Sequence, residues 1–135
     1  MKTKIKNNGS IMIVVVFAIA LMAALVAGIL QLNTEQIQLM KNEIFAAQAN
    51  AIADAGLADA FSELRSNPNW NTGFNNKSFG GGSYTVTVIG TSPDPNIVSI
   101  GTSPQGFVTK VEAEVTIGST SPSHIIRIDK LRINE

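Results

Sequence analysis

Cysteine is absent from the 135 residues of the chain. Disulfides therefore cannot brace a small exported domain, and thiol nucleophiles and cysteine-ligated zinc are excluded. Histidine is nearly absent, with His124 alone. Charge of one sign is also missing: ten basic and ten acidic side chains cancel. No global field argues for nucleic acid or for an acidic substrate. The balance hides an asymmetry. Lys2, Lys4 and Lys6 precede a stretch without charge, and Glu35 is the first charge after it. A cut between them leaves 7 basic and 10 acidic residues, a net of −3.

What is present is a run of twenty apolar residues, Ile11 to Leu30, with no polar side chain. As a helix it would span roughly 30 Å, the thickness of a bilayer's hydrocarbon core. Twelve of the twenty are Ile, Leu, Val or Phe. These alone favour the membrane by roughly 4–7 kcal/mol on the insertion scale. The leading lysines predict a cytoplasmic N-terminus and an outward C-terminal part. A secretion signal has an apolar core of only about 7–15 residues, closed by an Ala-x-Ala-like site. Here Ala18-Ile19-Ala20 falls inside the run, so simple secretion fits poorly. Gly9, directly before Ser10 and the run, leaves room for close backbone approach at the membrane's cytoplasmic edge. Ala20, Ala24 and Gly28 recur at every fourth position, a small-residue stripe suited to helix–helix contact.

No proline interrupts Gln31 to Ser66, and strong helix formers dominate. Phe45, Ala49, Ile52, Ala53, Leu57, Ala60, Phe61 and Leu64 recur at spacings of three and four, an apolar stripe that predicts an amphipathic helix. Asn67-Pro68 ends it, because the residue before proline is pushed out of the helical region. If Phe61 is buried in the stripe, its truncation to Ala costs about 3–5 kcal/mol. Asn67 to Gly82 reads as an Asn/Gly-rich loop whose Trp70, Phe74 and Phe79 cap a helix–sheet seam. Strands follow at 83–89, 97–101, 108–117 and 125–133. In the third, Thr109, Val111, Ala113, Val115 and Ile117 share one face, as in an antiparallel sheet covered on one side. The last slips phase at Asp129-Lys130, which predicts a bulge or a frayed edge. The fold class is α+β: one long helix, its apolar half transmembrane and its amphipathic half packed on about four antiparallel strands. The organisation reads as leader 1–9, membrane or filament-core half 10–30, amphipathic half 31–66 and outer sheet domain 67–135.

The basic leader ending in Gly9, the run opened by Ser10 and the extended Ala-rich helix together resemble the class III signal of type IV pilins and pseudopilins. The stretch Ala47-Gln48-Ala49-Asn50-Ala51-Ile52-Ala53-Asp54-Ala55-Gly56-Leu57 is similar to the helix of PilX-like minor pilins and of the K pseudopilins of type II secretion. The resemblance covers Lys4 to Leu64, about half the chain. It implies insertion in the inner membrane, cleavage by a prepilin peptidase after Gly9 and N-methylation of Ser10. The partners implied are membrane lipid before assembly, then other pilin or pseudopilin subunits through the N-terminal helix of an extracellular or periplasmic filament. Major subunits of that family mostly carry glutamate at the fifth residue after the cut. This chain has Val14 there, which agrees with the minor branch.

Two rivals stay open on the residues: a major subunit with an unusual Val14, and an unprocessed bitopic protein whose outer domain binds a ligand. No enzyme, cofactor or metal is expected. His124, Ser121 and Ser123 share a turn with no nucleophile-elbow motif. Asp94 and Asn96 offer two oxygens where calcium takes six to eight.

Overall fold

The computed structural model describes residues 8–119 and 124–134. The chain divides into two units, Met1–Lys41 and Asn42–Glu135. One helix, α1, runs Asn8–Ser66 and contributes to both. It ends where the proline rule places it, and the Asn67 amide closes the last turn on the Glu63 carbonyl at 2.8 Å. In the first unit every residue described in α1, from Gly9 to Lys41, is exposed.

The second unit carries five strands: β1 Phe74–Phe79, β2 Gly82–Ile89, β3 Asn96–Thr102, β4 Val108–Ile117 and β5 Ile126–Asn134. They form one antiparallel sheet in chain order. With α1 this is the expected α+β, pilin-like layout, but the sheet has five strands rather than four. The extra strand is β1, inside the stretch read as a loop. Its register slips between Phe74 and Lys77, and Asn76 sits at φ 48. That irregularity hides the two-residue alternation by which strands are recognised. The hairpin into β2 turns on Gly80 and Gly81, at φ 58 and 82. Two central residues at positive φ match the tight turn whose twist suits a hairpin, and glycine adopts it without strain.

The stripe on α1 packs as its spacing demands. Ala49, Ile52, Ala53, Leu57, Ala60 and Leu64 are buried against Tyr84, Val86, Ile97, Val111, Ala113, Val115 and Ile117. Phe61 is the departure: it packs on the rim of this core and is only half-buried. Cover by the sheet begins at Phe45, not at Gln31, since Gln31 to Ile44 are all exposed. The helix approaches the sheet at backbone distance. A Cβ added at Gly101 would lie 2.3 Å from the Ala49 carbonyl oxygen, and one at Gly56 would lie 2.4 Å from Ser99 Oγ. Ser99 uses that closeness to donate to the Ala53 carbonyl at 2.7 Å. Of the three capping aromatics, Trp70 and Phe74 pack on the core with ring centroids 5.1 Å apart. Phe79 is 51% exposed, although its ring lies 6.3 Å from Tyr84.

The β5 slip occurs where the pattern put it. Glu114 faces Lys130 while Val115 faces Ile128, so Asp129 is the bulged residue. The three-residue step from Ile128 to Leu131 needs that insertion to keep both on one face.

Candidate functional site

The feature of this chain that its own fold leaves unsatisfied is the apolar half of α1. Ile11 to Leu30 favour a helix because nothing in them breaks one: no proline occurs, and Gly28 is the single glycine. The side chains are apolar around the whole circumference, and Met12 and Phe17 are 72% and 66% exposed. A helix apolar all round is stable in water only when something covers it. It is long and apolar enough to cross a membrane, and none of its apolar window is buried among the described residues. Gln31 to Ile44 add exposed Leu32, Ile37, Leu39, Met40 and Ile44 among polar neighbours. Ile37, Met40 and Ile44 repeat at spacings of three and four, so a narrower apolar stripe continues past the run. That stripe has the same spacing as the one at 45–64, so it too was legible in the sequence.

Gly9 and Ser10 lie together near the start of α1, both exposed. Lys2, Lys4 and Lys6 lie outside the described residues. Among the described residues a Cβ added at Gly9 would meet nothing within 4 Å, and the same holds at Gly28. Here the contrast with Gly56 and Gly101 matters, because those two glycines are required by the contact between helix and sheet. The fold does not require Gly9 or Gly28. Ala20, Ala24 and Gly28 occupy one side of α1 by their spacing, all exposed.

One charged pair of the second unit serves its packing. Lys77 Nζ lies 2.6 Å from Asp59 Oδ2, and the buried Tyr84 hydroxyl donates to the same oxygen. The Lys77 hydrogen bond, with that of Tyr84 beside it, holds the Asp59 carboxyl below the usual carboxylate range. Burial first, then the Asp59 hydrogen bond, pushes the Tyr84 phenol up. Tyr84 thus stays a neutral donor, and a large core side chain has its one polar atom satisfied. His124 is tied to backbone: its Nδ1–H donates to the Gly118 carbonyl at 2.9 Å, and its amide meets the Arg65 carbonyl at 3.4 Å. Ser121 and Ser123 lie outside the described residues. Asp94 and Asn96 share a shallow cleft with Glu114 and Asp129. Asp129 is already engaged there, by Thr116 Oγ1 at 2.5 Å and Arg127 Nε at 2.7 Å. Among the described residues no group of three His, Asp or Glu side chains is placed to hold a metal ion.

A second uncovered surface lies on β5. Ile128, Leu131 and Ile133 pair with the buried Val115, Ala113 and Val111, yet each is about half exposed. Comparison with protein-family models, with characterised proteins and with solved structures finds no match to the chain.

Proposed function

We propose that the chain is a minor pilin or pseudopilin of the PilX or K type, an assembly protein rather than an enzyme. One observation carries the reading. A single helix is bare and apolar for its first half and, from Phe45 on, forms one side of a small α+β domain. A stable domain has no use for twenty unpartnered apolar residues, whereas a subunit that moves from membrane to filament uses them twice. In lipid they are solvated by acyl chains; in a filament the same side chains pack on the helices of neighbours. The protein would sit once across the inner membrane with its leader in the cytoplasm and the sheet domain outside. Prepilin peptidase would cut after Gly9, and Ser10 would become the methylated N-terminus. Gly9 supports this assignment because the fold itself places no demand on it.

N-terminal sequencing of the membrane-extracted protein tests the processing step. The expected first residue is Ser10, and Gly9→Val should leave the full-length precursor by filling the space beside the scissile bond. A protein beginning at Met1, or after Ala20, defeats the proposal and favours a permanent bitopic anchor or a secretion signal respectively.

Val14 supports the minor rather than the major role. A glutamate there would neutralise the free α-amino group of a neighbour, whose ordinary pKa is about 7.7–8.0. Valine leaves such an amine unpaired in an apolar core, at a cost of several kcal/mol unless it deprotonates. A subunit at the tip has no amine ahead of it to meet.

A further inference from the structure

We propose that the cleft between the loop following α1 and the β2–β3 loop binds a neutral saccharide, one sugar ring in size. The cleft measures about 240 Å³, and its lining includes Trp70, Asn69, Asn71, Thr91, Ser92 and Val88. That volume suits a single pyranose and is below the range of drug-sized ligand pockets. Its chemistry selects among small ligands. No charged side chain lines it, so an ionic ligand would be desolvated there without a counter-charge. The Trp70 indole, packed on Phe74, would offer its remaining apolar surface to the C–H side of a sugar ring. The two carboxamides and two hydroxyls offer both donors and acceptors to its hydroxyls. Among the described residues none of these four side chains is engaged in a hydrogen bond with the protein; only the Asn69 amide is, on Asn67 Oδ1 at 3.1 Å. A peptide is the poorer fit, since the cleft holds one ring rather than an extended segment.

The walls are fixed before any ligand arrives, which lowers the cost of binding. On one side the Trp70 amide bonds the Asn67 carbonyl at 2.9 Å, and the indole packs on Phe74. On the other, the carbonyls of Pro93 and Pro95 accept from the amides of Ile117 and Val115 at 2.7 and 3.2 Å, which ties the loop to β4. Gly73 brings the first loop against β2, where an added Cβ would lie 2.2 Å from the Val86 carbonyl oxygen. The site thus stands on the strands rather than on the loops alone.

Trp70 is the only tryptophan of the chain, so tryptophan emission reports the surroundings of this one side chain at the edge of the cleft. The full chain, held in a zwitterionic detergent free of sugar headgroups, is titrated with glucose, galactose, mannose, N-acetylglucosamine and N-acetylgalactosamine. N-acetylneuraminic acid and a neutral asparagine-containing peptide serve as comparisons. The expected result is a saturable change in Trp70 emission with at least one neutral sugar, with a Kd in the millimolar range because so few atoms make contact. Asn71→Ala and, separately, Thr91→Ala should each weaken it about tenfold, with an unchanged melting temperature. Both residues are exposed, and truncating them removes no core contact. The proposal is overturned if none of the neutral sugars saturates the signal up to its solubility. It is equally overturned if binding survives both substitutions undiminished, or if the acid or the peptide binds as well as the best sugar.

Discussion

Asp59 shows how much a single side chain at the edge of the helix–sheet contact decides. It accepts from Lys77 and from the buried Tyr84 hydroxyl, and so joins the helix to β1 and β2. Asp59→Ala strips that hydroxyl of its partner, and a loss of about 1–3 kcal/mol is expected, measured by denaturant unfolding of a fragment from Gln31 onward. The pH dependence follows from the direction of the shift. The folded carboxyl titrates below its ordinary 3.8, so the native state binds fewer protons than the unfolded chain in the window below that value. Its contribution is therefore complete above about pH 5 and fades as the pH falls through the folded pKa, and the Asp59→Ala variant should lose this part of the acid sensitivity. Asp59 is about half exposed, so salt should weaken the effect. Phe61 and Leu64 differ in the same concrete way. Leu64 is fully buried, and Leu64→Ala should cost about 2–5 kcal/mol. Phe61 is half-buried, so Phe61→Ala should fall below the 3–5 kcal/mol of a fully buried Phe, at about 1–3. Equal melting shifts for the two variants would mean that the rim position of Phe61 is wrong. Spacing put both residues on the buried side; the degree of burial was not legible, because it depends on how wide a sheet the helix covers.

At the scale of elements, the strands that alternate were the ones that could be read. Thr109, Val111, Ala113, Val115 and Ile117 all face the core, because a two-residue repeat fixes which face each side chain takes. The β5 bulge at Asp129 was legible for the same reason, as a break in that repeat. β1 was not, since its Phe-Asn-Asn-Lys-Ser-Phe is mostly exposed and its register slips. The glycines that set the helix–sheet distance were silent too. Gly56 and Gly101 look like ordinary interruptions until the opposing backbone is in place. Gly101→Ala should destabilise the sheet domain by about 1–3 kcal/mol by pushing helix and β3 apart, as a thermal melt would register. Gly28→Ala, where a methyl meets nothing, should leave the melting temperature of the solubilised chain unchanged.

The molecule as a whole pairs a domain that satisfies itself with a helix half that does not. The first was visible in the sequence as stripe and alternation, the second as an unbroken run of apolar residues, and the residues at their junction, 31–44, were the hardest to assign. Their apolar stripe is exposed, so it belongs with the uncovered half. Val14 lies in that half and is 64% exposed. Val14→Glu should still insert, since an acidic residue costs up to about 3 kcal/mol against roughly 4–7 in favour. Retention of the variant in the membrane pellet after alkaline extraction checks this. The assembly role is tested most directly by quantitative mass spectrometry of purified filaments from cells that express the chain. Its N-terminal peptide should begin at Ser10, with few copies relative to the most abundant subunit. A chain that is itself the most abundant subunit contradicts the minor role, and one absent from filaments, held in the membrane from Met1, contradicts the assembly function altogether.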